Sequence, residues 1–207
     1  IMSDIAANLQ AVIARIAAAA RQAGRDPASV RLLAVSKTWP ADCLRPAIAA
    51  GQCAFGENYV QEGVDKIAAL AGQGLEWHFI GPLQSNKTRP VAEHFDWTHS
   101  IERLKIAQRL AEQRPPTLPP LNVCVQVNVS GEASKSGCQL GEAAALCHAV
   151  AALPGLRLRG LMAIPAPAED FAAQRVPFAA LRKLYEQLQG EGLALDTLSM
   201  GMSHDLA

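Results

Sequence analysis

Lys37 is the residue of this sequence best suited to covalent chemistry. It follows residues 31–36 (RLLAVS), an apolar run typical of a short strand, so its amine is expected over the open end of a sheet. A partly desolvated lysine has a lowered pKa, and its neutral amine can attack a carbonyl group to form a Schiff base. A lysine that enters solvent where a strand ends has the same pattern, and position alone favours that simpler interpretation.

A second group of candidates lies in the loop 199–203 (SMGMS). Gly201 would let backbone amides approach an anion, and Ser203 would begin a helix whose amino end favours negative charge. The loop therefore predicts a phosphate-binding site, although an ordinary N-cap turn has the same composition. A Schiff-base lysine and a phosphate site together favour pyridoxal phosphate (PLP) as the ligand. A Schiff-base aldolase acting on a phosphorylated sugar would have the same two features.

Three other residues at predicted strands have both a structural and a functional interpretation. Asn58 follows the second strand and could bind a ligand, although helix capping is the simpler explanation. Met162 could pack on the flat face of a cofactor, whereas a core position is commoner for methionine. His78 lies within a strand-like run, EWHFIG, which indicates a buried and hydrogen-bonded structural histidine.

The segments that must position these residues alternate between strand-like and helix-like patterns, after one leading helix. The predicted strands are 31–36, 53–56, 76–81, 97–100, 121–129, 158–164 and 197–200. The predicted helices are 3–23, 40–51, 57–71, 84–94, 101–113, 139–152 and 171–189. Strict alternation favours an α/β fold with a parallel sheet, either open and doubly wound or closed as a barrel. In both architectures the carboxyl ends of the strands meet at one edge, so the candidate residues are expected to share one pocket.

Composition narrows the class of protein. The chain has 207 residues, 50% of them hydrophobic, with 19 basic side chains against 19 acidic ones, which argues against a nucleic-acid surface. No apolar run approaches the roughly 20 residues of a membrane span. We expect a single domain over residues 1–207, acting as a monomer. An odd number of cysteines, without a C-x-x-C pair or a signal-peptide pattern, predicts a reduced, cytoplasmic protein.

Six motifs, in order and at consistent spacing, carry a resemblance to a known family. They are AVSKTWP (34–40), FGENYVQE (55–62), WHFIGPLQSNK (77–87), VNVSGEASKSG (127–137), GLMAIP (160–165) and LSMGMSHDL (198–206). In these motifs the chain closely resembles the pyridoxal phosphate homeostasis proteins, the single-domain relatives of the alanine racemase N-terminal barrel. The resemblance runs from about residue 5 to the last residue.

The resemblance implies a TIM-type (β/α)8 barrel of the alanine racemase N-terminal-domain type, with an extra N-terminal helix and PLP in its mouth. Lys37 would be the Schiff-base lysine, Asn58 would lie beside the cofactor, and Met162 would line the ring pocket. Ser199, Gly201 and Ser203 would hold the ring or the phosphate. Lys135, in the SKSG loop, would be a second lysine that receives or passes on PLP.

One departure from the family affects the expected barrel. Family members continue after the SMGMS loop into an eighth strand that ends in an R-I-G-T-like phosphate-binding motif. The sequence stops at Ala207, so we expect this last strand, with its arginine and threonine, to be missing from it.

The function implied by the resemblance is intracellular PLP homeostasis. The protein would hold PLP as a lysine Schiff base and deliver it to PLP-dependent apo-enzymes without turnover, with no catalytic residue and no metal site. The alternative is a PLP-dependent amino-acid racemase, which needs acids or bases on both faces of the substrate. In two-domain racemases a tyrosine from a second domain supplies the acid or base on one face of the substrate. The only tyrosines here, Tyr59 and Tyr185, lie in predicted helices that do not suit that role.

Overall fold

Strands and helices alternate along the chain in the computed structural model, which describes residues 3–131 and 136–205. The strands are β1 (Ala34–Val35), β2 (Ala54–Glu57), β3 (Glu76–Phe79), β4 (Trp97–Ile101), β5 (Leu121–Asn128), β6 (Cys138–Gln139), β7 (Leu156–Met162) and β8 (Thr197–Ser199). The helices are α1 (Ser3–Gln22), α2 (Ala41–Ala49), α3 (Val60–Ala69), α4 (Thr88–His94), α5 (Leu104–Gln113), α6 (Ala143–Ala151) and α7 (Phe171–Gly190). Short 3₁₀ turns at Pro27–Ser29, Ser85–Lys87 and Ser203–Asp205 complete the elements of the described residues.

The order of the strands decides between the two architectures that the sequence allowed. The parallel sheet runs β1-β2-β3-β4-β5-β7-β8, with β6 paired to β5 beside this path. A doubly wound sheet reverses its strand order at a switch point, and this sheet does not. Right-handed crossovers that all advance in one direction place every helix on the same face. The fold is therefore the curled parallel sheet of a TIM-type barrel, and β1 and β8 are its two end strands among the described residues.

The two faces of the sheet have different cores. Strand side chains alternate between faces, and one face of β5, including Val123 and Val125, belongs to the large apolar cluster shared with helix residues such as Leu110. The other face, which lines the inside of the curl, contributes a small cluster of Trp97, Cys124 and Met162. This inner face also carries buried polar side chains, so the curl encloses hydrogen-bonding groups as well as apolar ones.

Each predicted strand and helix is present, with differences at the boundaries. The helix predicted at 139–152 begins only at Ala143, because Cys138–Gln139 form β6 and pair with β5 instead. The helix predicted to start at 57 starts at Val60, because Glu57 still pairs with Phe79 in the sheet. None of the helices in the described ranges has the length and apolar character to cross a membrane.

Candidate functional site

The residues predicted for the site lie at one edge of the sheet. Lys37 follows β1, Asn58 follows β2, Met162 is the last residue of β7 and Ser199 is the last residue of β8. Gly201 follows β8 by two residues. Because the strands are parallel, these positions all belong to the carboxyl edge, where barrel proteins carry their sites.

The Lys37 side chain is exposed, as in the simpler interpretation of its position, and is not the partly desolvated amine that the Schiff-base interpretation expected. The strand that precedes it, β1, is two residues long and pairs only with β2 among the described residues, so little covers the turn that follows. Thr38 has a φ of 66°, in the left-handed region that side chains other than glycine rarely occupy. A backbone held in that region indicates that surrounding contacts fix the turn.

Those contacts come from a hydrogen-bonded cluster, the turn clamp, formed by Ser36, Thr38, Glu57, Glu62 and Lys66. Ser36, Glu57 and Lys66 are buried, Glu62 is half-buried and Thr38 is exposed. The Lys66 ammonium donates to Oε1 of Glu57 at 2.7 Å, to Oε1 of Glu62 at 2.6 Å and to the carbonyl oxygen of Ser36 at 2.6 Å. The Ser36 hydroxyl donates to the same Glu57 oxygen, and the Thr38 amide donates to Oε1 of Glu62 at 2.6 Å. Both neighbours of Lys37 are thus tied to β2 and α3.

Within the clamp, burial makes the charged side chains of Lys66 and Glu57 depend on each other for their stability. The side chains of Lys66 and Glu57 are 4% and 0% exposed, and a charge buried this deeply is stable only when it is paired. Oε2 of Glu57 has no hydrogen-bond partner among the described residues. The clamp was not predicted, since a lysine on an amphipathic helix has the sequence pattern of a solvent-exposed side chain.

A cavity of about 550 Å³ lies beside the Lys37 turn, lined by residues such as Trp39, Asp65 and Ala69. None of Asn58, Met162 and Ser199 lines it. We therefore assign the candidate site to the carboxyl edge of the sheet, where the polar residues converge, and not to this cavity.

Asn58 does not cap a helix. Helix α3 begins after Tyr59, with no side-chain hydrogen bond at its cap. Oδ1 of Asn58 is buried and has no partner among the described residues, and such an atom is costly unless a ligand or water satisfies it. Gly81 fixes the position of Asn58, because a Cβ at Gly81 would overlap the Asn58 backbone.

A chain of hydrogen bonds crosses the inside of the curl and ends at Ser199. Nδ1 of His99 lies 2.6 Å from the Ser199 hydroxyl, and Nε2 of His99 lies 2.8 Å from Nδ1 of His78. Nε2 of His78 lies 2.7 Å from Oε1 of Glu76, which also accepts from Arg31 at 2.8 Å. The structure thus confirms His78 as a buried, hydrogen-bonded histidine. The link from His99 to Ser199 was missed, because it joins residues that are 100 positions apart.

The pKa values along this chain follow from burial and pairing. Burial lowers the pKa of His99 to about 3, with the neighbouring His78 as a further cause, and burial also lowers the pKa of His78. The hydrogen bond from His78 lowers the pKa of Glu76 to about 2. At neutral pH this hydrogen-bond chain therefore contains neutral imidazoles at His78 and His99 and an ionised carboxylate at Glu76.

Met162 lies beside Ser199 in the sheet, because the two residues pair in the register of β7 with β8. Its side chain is 4% exposed and packs with Trp97 and Cys124 inside the curl. It thus lies in the inner core and next to a predicted ligand residue at the same time.

Gly201 and Ser203 lie in the loop that leaves β8. Gly201 has a φ of 96°, which glycine adopts without strain, and Ser203 begins a single 3₁₀ turn. The backbone amide of Met202 donates to the carboxylate of Asp205 at 2.8 Å, so an anionic oxygen already occupies one amide of this loop. Lys135, the predicted second lysine, lies outside the described residues.

The fold and this carboxyl edge define a protein class, the barrel of the alanine racemase N-terminal domain. The profile of the family "Alanine racemase, N-terminal domain" matches residues 7–207. Alanine racemase from Corynebacterium glutamicum shares the fold, with a TM-score of 0.65 at 18% identity, over 92% of this chain and 53% of that one.

Closer relatives identify the branch of this class. The chain is 65% identical over 205 residues to the pyridoxal phosphate homeostasis protein of Pseudomonas aeruginosa, covering 99% of this chain and 88% of that protein. It is 58% identical to the protein of the same name from Escherichia coli, covering 99% and 89%. The structure of PipY from Synechococcus elongatus with PLP bound matches at 39% identity and a TM-score of 0.79, over 94% of this chain and 90% of PipY. The chain belongs to the pyridoxal phosphate homeostasis protein family.

Proposed function

We propose that this protein binds PLP at the carboxyl edge of its sheet, attached to Lys37, and serves intracellular PLP homeostasis. The observation that carries the proposal is the Lys37 turn, a strained turn held in place by the turn clamp. Backbone strain that the surrounding structure holds in place is typical of a functional position. The PLP-bound PipY structure and the relatives named for PLP homeostasis support the choice of ligand.

The residues at this edge fit PLP chemically. Oδ1 of Asn58 is a buried acceptor without a partner in the described part of the chain, suited to a donor group on a ligand. Ser199 presents a hydroxyl at the end of β8, and Gly201 gives the following loop a backbone conformation with φ of 96° that other residues rarely adopt. Met162 supplies a polarizable apolar surface next to Ser199. We propose all of these, together with Ser203, as PLP-binding residues.

When bound, PLP supplies an aldehyde that a neutral lysine amine converts to a Schiff base. The task of the chain is to present that amine in one place. Ser36 and Thr38 are held on either side of Lys37, so the backbone of Lys37 is positioned although its side chain is exposed. An exposed amine suits a protein that must accept and release its ligand, since no cover has to open.

We further propose that the protein holds and delivers PLP to apo-enzymes without turning over amino acids, as a cytoplasmic monomer. A racemase needs a second acid or base facing Lys37. The Tyr185 hydroxyl donates to the carbonyl oxygen of Leu195 instead, at 2.9 Å. Tyr59 precedes α3 with 57% of its surface exposed. The Tyr185 hydroxyl is thus committed to the backbone, and the optical-rotation test below decides for Tyr59.

The test is a PLP titration followed by absorbance. The protein should develop the visible band of a lysine-bound PLP, the Lys37→Ala variant should not, and Lys183→Ala, an exposed lysine of α7, should behave as the wild type. Alanine enantiomers added to the loaded protein should keep their optical rotation. An unchanged band in Lys37→Ala would contradict the proposal, and loss of optical rotation would establish a racemase.

A further inference from the structure

The hydrogen-bond chain from Glu76 to Ser199 has a direction that its atoms determine. A carboxylate only accepts, so His78 must donate from Nε2 to Glu76. A neutral His78 then has an acceptor at Nδ1, and His99 must donate to it from Nε2. A neutral His99 in turn has an acceptor at Nδ1, so the Ser199 hydroxyl must donate its proton to His99. In this state Ser199 can offer a ligand only lone pairs.

One added proton reverses that direction. If His78 gains a proton, both of its nitrogens donate, to Glu76 and to Nε2 of His99. His99 remains neutral, but its proton now resides on Nδ1 and is donated to the Ser199 oxygen. The Ser199 hydroxyl hydrogen is thereby released and can be donated to a ligand. No bond other than N–H and O–H bonds changes, and the only species consumed is one proton from solvent.

We propose that His78 and His99 are positioning residues that couple the uptake of one proton to donation of the Ser199 hydroxyl to a hydrogen-bond acceptor on the ligand. The inference rests on the proposed function, because PLP supplies such acceptors in its phosphate oxygens and its ring nitrogen. Anion binding at the carboxyl edge of the sheet is thus linked to protonation near its amino edge. The link passes through His78 and His99, whereas Ser199 is the residue proposed to contact the ligand.

The groups around His78 allow its imidazole to become protonated when a ligand binds. Glu76, at 2.7 Å, and Asp96 on the next loop favour the imidazolium, whereas burial and Arg31 oppose it. The Trp97 ring stacks on His78 at 5.2 Å between centroids, with the Arg159 guanidinium 4.6 Å from the Trp97 centroid. Arg159 is itself neutralised by Asp196, at 2.7 Å. The proton enters at the Ser199 end of the chain. When the Ser199 oxygen takes it up, Ser199 passes its own hydroxyl proton to Nδ1 of His99, and His99 passes its Nε2 proton to Nδ1 of His78.

Nitrogen-15 NMR of the histidines in the ligand-free full chain tests the relay without reference to PLP. Above its pKa His78 should be protonated at Nε2, and so should His99. Acidification should add the second proton to His78 while the proton on His99 moves from Nε2 to Nδ1. His99 protonated at Nδ1 in the neutral state, or titration of His78 without a change at His99, would overturn the proposal. Failure of PLP binding would leave this readout intact and would count against the proposed function instead.

Calorimetry with pyridoxine 5′-phosphate, which lacks the aldehyde, tests the coupling itself. The dependence of binding enthalpy on buffer ionisation counts protons, and the wild type should take up as much as one proton more than Ser199→Ala or His78→Gln. Wild-type affinity should rise as pH falls, by up to about tenfold per pH unit, and the two variants should lose this dependence. His148→Gln, at an exposed histidine paired with Glu191, is the matched control and should behave as the wild type.

Two fragments of the ligand identify the acceptor. Proton uptake on binding inorganic phosphate would identify a phosphate oxygen as the acceptor of the Ser199 hydrogen bond. Proton uptake on binding pyridoxine would identify the ring nitrogen instead. Equal proton uptake by the wild type, Ser199→Ala and His78→Gln would overturn the coupling.

Discussion

The Lys66 ammonium lies 2.7 Å from Oε1 of Glu57, and the two side chains are 4% and 0% exposed. Together they hold Ser36, the residue that immediately precedes Lys37. A buried pair of this kind is positioned by the fold and at the same time fixes the turn that carries the candidate lysine. Stability and ligand binding should therefore respond together to changes in this pair.

Removal of the ammonium should destabilise the protein strongly. Lys66→Met keeps the apolar stem but leaves the buried Glu57 carboxylate without its counter-charge, which costs about 3–5 kcal/mol of unfolding free energy. Denaturant unfolding measures the change, and Lys183→Met, at an exposed position of α7, should stay within about 0.5 kcal/mol of the wild type. The double variant Lys66→Met/Glu57→Gln should recover part of the loss, because it removes the unpaired charge. A Lys66→Met variant as stable as the wild type would contradict the role of the clamp.

A methyl group at Gly81 should disturb the position of Asn58. The new Cβ would overlap the Asn58 backbone, and forced overlap of this kind costs about 1–3 kcal/mol. We expect Gly81→Ala to unfold at lower denaturant concentration and to bind PLP more weakly. Gly141→Ala is the matched control, because its Cβ would meet open space. Equal stability and affinity in the two variants would show that the Gly81 contact does not position Asn58.

The buried histidine should make the protein less stable in mild acid. The pKa of His99 is about 3 in the folded chain against an ordinary value of 6.5, so below pH 6.5 the unfolded chain binds a proton that the folded chain does not. Stability should thus be constant above that pH for this group and should fall as pH decreases from 6.5 toward 3. The free energy of unfolding, measured with urea, should change less between about pH 7.5 and about pH 5 in His99→Gln than in the wild type. His148→Gln should show the same loss of stability between the two pH values as the wild type. The same loss in His99→Gln would contradict the role of His99 in this pH dependence.

The five cysteines should fall into two classes of reactivity. Cys53 is exposed and Cys43 is half-buried, so both should react quickly with a thiol reagent. Burial raises the pKa of Cys138 to about 11 and of Cys147 to about 12, and it raises the pKa of Cys124 as well. These three thiols should react only after the addition of denaturant. Rapid reaction of Cys124 in the native protein would contradict its position in the inner core.

The sequence predicted the strands and helices of this fold well, because apolar runs, and the glycine or proline residues that end them, are local signals. The pattern of elements alone could not choose between an open and a curled sheet, because that choice depends on how distant strands pair, whereas the family resemblance implied the barrel that the structure confirms. The two-residue strand β6 was missed for the same reason, since its pairing with Val127 leaves no periodic pattern.

The candidate site was predictable where residues follow strands and unpredictable where side chains meet across the fold. Lys37, Asn58 and Ser199 lie at strand ends, as the sequence indicated. His99 lies within WTHSI, where nothing in the local sequence shows that its ring reaches Ser199. The exposure of Lys37 agrees with the simpler interpretation of its position, a lysine that enters solvent where a strand ends.

The most direct test of the central claim is to identify the lysine that PLP occupies. The full chain would be incubated with one equivalent of PLP, reduced with borohydride and digested, and the modified peptide would be located by mass spectrometry. We predict modification at Lys37 in the wild type and almost none in Lys37→Ala. Modification spread over exposed lysines such as Lys183, with Lys37 unmodified, would contradict the account.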